Sequence, residues 1–204
     1  MKNIAVLVSG GGTNLQALID SHIKGGKITA VISSNPEAYA LERAKKAGIP
    51  GYVVRRKDYP TNQAMTLALV ATLKSLNIDL VVLAGFMTIL TEEMVKAYPN
   101  AIINVHPALI PAFCGEGFYG LHVHEAALAY GVKLSGATVH FVSEECDGGP
   151  IIAQKAVPVL PGDTPEILQK RIMQEAEWVI LPEAVSLFCQ DRLEVQGRTV
   201  IVKP

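Results

Sequence analysis

The most constraining feature of the sequence is an alternation. Between Asn3 and Val105, short β-branched or apolar runs trade places with segments of helical periodicity. The runs are Asn3–Val8, Ile28–Ser33, Gly51–Val54, Asp79–Ala84 and Ala101–Val105, and helical spacing covers Asn14–Lys24, Ala38–Ala47, Asn62–Leu76 and Thr91–Ala97. Strands joined through helices run parallel, and their crossovers are right-handed. Asp79–Ala84 sharpens the point: every residue after Asp79 is apolar, so both faces of that strand must be covered. The expected fold is α/β, a mostly parallel twisted sheet with helices on both faces and a Rossmann-like first half over residues 1–100.

Residues 101–204 change character. Ser135–Val142 and Ile151–Pro158 read as longer strands, and Thr164-Pro165-Glu166 opens a long helix reaching about Cys189. Arg192–Val195 and Arg198–Val202, separated by Gln196-Gly197, read as a terminal hairpin. With no repeat, low-complexity tract or linker, the 204 residues are expected to form one domain. Hydrophobic residues make up 50% of the chain and aromatics only 6%, so the core must be aliphatic.

The same numbers exclude several functions. A net charge of -1, with no basic cluster beyond Arg55-Arg56-Lys57, is wrong for a nucleic-acid partner, which needs grouped cations to displace counterions. Three scattered cysteines without a Cys-x-x-Cys pair suit reduced thiols in the cytoplasm better than disulfides or zinc. No apolar stretch approaches the roughly 20 residues that span a bilayer, and the N-terminus lacks a signal peptide's pattern. The expected partners are small molecules, for a monomer or homodimer.

Ligands of open α/β sheets bind beyond the carboxyl ends of the strands. That rule selects Ser9–Asn14, Gly85–Met87 and Asn104–Pro107. Ser9-Gly10-Gly11-Gly12-Thr13-Asn14 joins a strand to a helix. It is either a tight turn or, the preferred reading, a phosphate cradle made by backbone N–H groups at a helix N-terminus. It has no following Lys for a nucleoside-triphosphate loop, and Leu15 stands where a dinucleotide loop has its third glycine. Asn104 and His106, two residues apart on a buried strand, point to one side. An amide donor beside an imidazole suits the oxyanion formed when an amine attacks a carbonyl. Asp147-Gly148-Gly149-Pro150 is either an ordinary turn or the source of a carboxylate that orients His106 and relays a proton. His140 reads as structural. His122 and His124 lack the supporting ligands of a metal site, and no metal is expected.

Together these segments resemble a known family. The Ser-Gly-Gly-Gly-Thr-Asn loop, Ala84-Gly85-Phe86-Met87, Asn104 to Pro111 and Asp147 to Pro150 are similar, in order, to the phosphoribosylglycinamide formyltransferases. Those are folate-dependent enzymes of purine biosynthesis. The resemblance implies a formyl transfer from 10-formyltetrahydrofolate, as co-substrate, to the amine of glycinamide ribonucleotide. It assigns Asn104, His106 and Asp147 to catalysis, with His106 protonated and held charged by Asp147. Gly11, Gly12, Thr13 and Asn14 match the substrate-phosphate loop, and Glu177 a ribose-binding carboxylate. Met87, Thr88, Ile89 and Leu90 match one wall of a folate pocket, faced by the backbone from Val142 through Glu144 to Asp147, with Asn62 nearby. Three positions depart from the family pattern: Thr88 and Asn62 stand where Arg occurs in relatives, and Trp178 where His is frequent. Phe113–Tyr119 resembles a variant of the loop after the His-Pro segment, a candidate lid.

Related chemistries fit less well. A methionyl-tRNA formyltransferase carries an added C-terminal domain and a basic surface. A formyltetrahydrofolate deformylase, the nearest alternative, transfers formyl to water and usually has a preceding regulatory domain. A nicotinamide enzyme needs an acid after the second strand, where Ser33-Ser34-Asn35 stands.

Overall fold

The computed structural model describes all 204 residues. Nine strands form one sheet: β1 (Lys2–Val8), β2 (Gly26–Ser33), β3 (Gly51–Val53), β4 (Leu80–Leu83), β5 (Ile102–His106), β6 (Leu134–Phe141), β7 (Ile151–Pro158), β8 (Leu193–Gln196) and β9 (Thr199–Val202). Their order is β3-β2-β1-β4-β5-β6-β7-β9-β8. The first five are mutually parallel, as the strand–helix alternation requires. Beyond them β6 runs antiparallel to both β5 and β7.

Strand β1 shows why helices must cover both faces. Ile4, Val6 and Val8 belong to one buried cluster, Ala5 and Leu7 to another, and all five are sealed from solvent. The first cluster takes Leu15 and Leu18 from α1 (Thr13–Asp20) and Ala40 and Ala44 from α2 (Tyr39–Lys46). The second takes Met65, Leu69 and Leu73 from α3 (Asn62–Ser75) and Met94 from α4 (Glu92–Ala97). Period-two alternation in a strand covered on two sides accounts for both cores.

Three features differ from the sequence reading. The first helix stops at Asp20, short of the expected Lys24, because Ser21 is extended and its hydroxyl donates to the Leu18 carbonyl at 2.8 Å. A helix that the sequence did not announce, α5 (Leu121–Tyr130), follows the His-Pro loop. The long C-terminal helix is three pieces: α6 (Pro165–Ile172), a π-helical segment (Met173–Glu177) and α7 (Trp178–Cys189). The π segment ends at Glu177, which is buried.

Candidate active site

The carboxyl ends of β1, β4 and β5 bring the three selected segments to one edge, as parallel strand order demands. After β1, Gly12 caps α1 with φ 71°. A side chain there is excluded twice over, by the left-handed backbone and by the Ala40 Cβ, which would lie 2.6 Å from an added Cβ. Thr13 begins α1, and Asn14 is buried with its amide donating to Glu177 Oε2 at 2.6 Å. Burial raises the pKa of Glu177, opposed by that hydrogen bond. The Asn14 side-chain oxygen, Oδ1, is buried without a partner.

The segment after β4 is tied to the glycine loop: the Met87 N–H donates to Ser9 Oγ at 2.8 Å. Met87 and Ile89 are 57% and 74% exposed, an apolar surface left open beside the strand ends. Thr88 is half-buried, and Leu90 packs on the second core cluster with Val142. Thr91 N–H donates to Thr66 Oγ1 at 3.2 Å, which sets the start of α3, and so Asn62, near the 87–91 segment. The Asn62 side-chain oxygen Oδ1 accepts from Arg56 Nε, so a guanidinium is held at this position although residue 62 itself is neutral. Glu144 is exposed.

At the end of β5 the structure brings Asn104, His106 and Asp147 together. Asp147 Oδ2 lies 3.5 Å from His106 Nδ1, and Oδ1 lies 3.4 Å from the Asn104 amide. The turn carrying Asp147 is forced into place. Gly149 sits so tightly against the end of β6 that an added Cβ would be 1.7 Å from the Phe141 carbonyl oxygen. Phe141 N–H also donates to the Pro150 carbonyl at 2.9 Å. Asp147 has φ 53°, the left-handed region that non-glycine residues seldom occupy and that recurs at functional sites.

His140, read from sequence as structural, belongs to this cluster. The antiparallel register pairs Asn104 with His140 and His106 with Thr138, putting four polar side chains on one patch of two strands. His140 Nδ1 donates to the Phe141 carbonyl at 2.8 Å, which turns Nε2 toward Asn104 (3.2 Å) and Asp147 (3.6 Å). Thr138 accepts from Ile110 N–H at 3.1 Å and donates to the Ala108 carbonyl at 2.7 Å, anchoring the His-Pro segment. The signal was present: Thr138 and His140 alternate as polar residues in an otherwise apolar strand, facing Asn104 and His106 at the same period.

The chain's own loop closes this centre. His106 Nε2 donates to the Phe113 carbonyl at 2.7 Å, and Gly115 N–H donates to Asp147 Oδ2 at 3.0 Å. Burial lowers the pKa of His106 below its ordinary value, and it outweighs the opposite pull of Asp147 and of the Phe113 carbonyl. The ring is only 4% exposed, and the desolvation it suffers is opposed by the carboxylate 3.5 Å from Nδ1. Burial pushes Asp147 up, yet the His140 hydrogen bond, the His106 ring and the Gly115 N–H hold it below the usual carboxylate range. His122 lies on the α5 surface and pairs with Glu125 at 3.0 Å. His124 is fully buried with neither ring nitrogen bonded, and burial, with His106 nearby, drives its pKa down to about 4. No group of three or more His, Cys, Asp or Glu side chains is placed to hold a metal ion.

An α/β sheet carrying a glycine loop after β1 and an amide–imidazole–carboxylate cluster at the end of β5, with only β4 between them, defines a group-transfer enzyme acting on small molecules. The chain belongs to the formyl transferase family, whose profile matches residues 2–185. It is 43% identical over 199 residues to the phosphoribosylglycinamide formyltransferase of Haemophilus influenzae, covering 96% of this chain and 91% of that one. The Escherichia coli enzyme of the same name is 40% identical over 197 residues, 95% of this chain and 90% of its own. A crystal structure of glycinamide ribonucleotide transformylase 1 from Symbiobacterium toebii superposes with a TM-score of 0.94 at 45% identity, covering all of this chain and 95% of that one. No helix is long and apolar enough to cross a membrane.

Proposed function

We propose that the protein is a phosphoribosylglycinamide formyltransferase: it moves the formyl group of 10-formyltetrahydrofolate to the amine of glycinamide ribonucleotide, in the cytoplasm and without a metal. The observation that carries this reading is the convergence of Asn104, His106 and Asp147 beside an open glycine loop, in a chain of this family. Residues 1–100 serve as the phosphate-binding half and residues 101–204 as the catalytic half of one formyltransferase domain.

In this reading the ribonucleotide phosphate sits on the N–H groups of Gly11, Gly12, Thr13 and Asn14, and Glu177 accepts from the ribose hydroxyls. The pterin lies along Met87, Thr88, Ile89 and Leu90, against the backbone from Val142 to Glu144, with Asn62 at the pocket's edge. The amine attacks the formyl carbon, a C–N bond forms, and the carbonyl oxygen becomes an oxyanion. The Asn104 amide and the His106 imidazole donate to it. Productive binding must first displace the Phe113 carbonyl from His106, because that carbonyl occupies the very donor the oxyanion needs. The developing negative charge then favours the protonated ring that burial alone disfavours. Asp147 takes the proton from the attacking nitrogen, through water, and returns it to the folate nitrogen as the old C–N bond breaks.

The test is a two-substrate assay. Folate absorbance should change only when both 10-formyltetrahydrofolate and glycinamide ribonucleotide are present. Equal consumption of the folate without the ribonucleotide would instead make the protein a deformylase.

A further inference from the structure

The glycine loop has to present N–H groups to an anion, yet nothing packs against its first two glycines. Added Cβ atoms at Gly10 and Gly11 would meet nothing within 4 Å, so side-chain packing does not fix these two residues. Three glycines in a row also have the greatest freedom to rotate their peptide planes. Hydrogen bonds from α2 hold them instead. The Gly10 carbonyl accepts from Ala40 N–H at 3.1 Å, and the Gly11 carbonyl accepts from Arg43 Nε at 2.8 Å.

In a planar trans peptide the C=O and the following N–H point in opposite directions. Pinning the Gly10 carbonyl on α2 therefore turns the Gly11 N–H the other way, and pinning the Gly11 carbonyl does the same for the Gly12 N–H. The N–H groups from Gly11 to Asn14 donate to no other backbone group, which leaves them for a ligand at the α1 terminus. Arg43 is itself held in position. Its Nη1 donates to Gln16 Oε1 at 2.9 Å, and its guanidinium lies over the Tyr39 ring, 5.0 Å from the centroid. A planar guanidinium with two directed donors, one on the loop and one on the helix that follows, fixes their relative geometry in a way a point charge cannot.

We propose that Arg43 is a positioning residue for phosphate recognition: by clamping the Gly11 carbonyl to Gln16 it holds the Gly11–Gly12 peptide with its N–H facing the substrate phosphate. The inference rests on the reading of this loop as the ribonucleotide-phosphate site. Arg43→Ala should raise KM for glycinamide ribonucleotide about tenfold, the scale of one lost charge-assisted hydrogen bond. It should leave KM for the folate and kcat within about twofold, as expected when uniform binding is removed. Against ribosylglycinamide lacking the phosphate, wild type and variant should be indistinguishable. Arg43→Lys should resemble Arg43→Ala, because it restores charge without the planar pair of donors.

A KM change below twofold in a normally folded Arg43→Ala protein overturns the proposal, and so does full rescue by Lys, which would make the role one of charge alone. An equal loss with the unphosphorylated substrate also overturns it, as general damage to the fold. Inorganic phosphate as a probe separates this inference from the assigned activity. Phosphate should raise the melting temperature of wild type more than that of Arg43→Ala. Wild type that turns over the ribonucleotide, with equal phosphate shifts in both proteins, leaves the function standing and removes the Arg43 role. Unequal shifts in a protein that fails to use the ribonucleotide keep the Arg43 role and remove the function.

Discussion

The two halves of the site are prepared in opposite ways. The glycine loop is set and open: the Gly10 and Gly11 carbonyls are tied down on α2, and the N–H groups from Gly11 to Asn14 have no internal partner. The cluster at the end of β5 is set and covered, because Phe113 and Gly115 occupy the His106 and Asp147 groups that, in the proposed reaction, would meet the reacting atoms. Preorganised donors suit a phosphate, which arrives fully charged and needs no change at the protein. In the proposed reaction the other half differs, because its charge exists only while bonds are changing. A centre that keeps its donors satisfied by a loop until substrate replaces them avoids leaving an imidazole and a carboxylate buried and unmatched.

The comparison breaks most readily at Asp147. Asp147→Asn should lower kcat by about 10³, within the usual range for a lost general acid–base group, while calorimetry finds ribonucleotide affinity nearly unchanged. Comparable losses in both would mean that the open and covered halves are not separable. The next largest effect concerns the covered half's scaffold. Gly149→Ala drives a methyl into the Phe141 carbonyl and should cost about 3 kcal/mol in a denaturant titration. A change under about 1 kcal/mol would show that the Asp147 turn is not pinned as described.

Smaller effects should come from His124, buried beneath the covered half. Its pKa of about 4 lies below the ordinary 6.5, so the unfolded chain binds more protons between those values and stability falls as pH drops through that window. From pH 7 to pH 5 the loss from this group should be about 2 kcal/mol, and His124→Leu should lose that part of the pH dependence. An unchanged pH profile in the variant would assign the dependence to other groups. The smallest effect expected is at the loop of residues 113–119. The Phe113 ring packs edge-on against Phe118 and Tyr130, at 6.3 and 6.0 Å between centroids. Phe113→Ala should loosen that cover and let the His106 pKa rise toward 6.5, followed by NMR titration. A fall would place the cause elsewhere than in burial.

The two halves also differed in how legible they were. The parallel half could be read from hydrophobic period alone, because a strand buried on both faces and helices with one apolar side leave few other arrangements. The glycine loop followed from strand, glycines and helix in succession. The covered half was legible only in part. Asn104 and His106 announced themselves by spacing on one strand, but their meeting with Asp147 depends on contacts 43 residues apart that no local pattern records. His140 reads as structural in the sequence because its partner strand is not visible there; once β6 lies antiparallel on β5, it must face Asn104. Helix α5 gave no start signal, since Gly120 precedes it and no side chain caps it. The hold of the Phe113 carbonyl on His106 was invisible for a simpler reason: a backbone oxygen carries no sequence signature.

The most direct test of the central claim follows the formyl carbon itself. With 10-formyltetrahydrofolate labelled in the formyl group, glycinamide ribonucleotide and the wild-type protein, mass spectrometry should find the label on the ribonucleotide's former amine. Label recovered as free formate, at a rate indifferent to the ribonucleotide, would contradict the account.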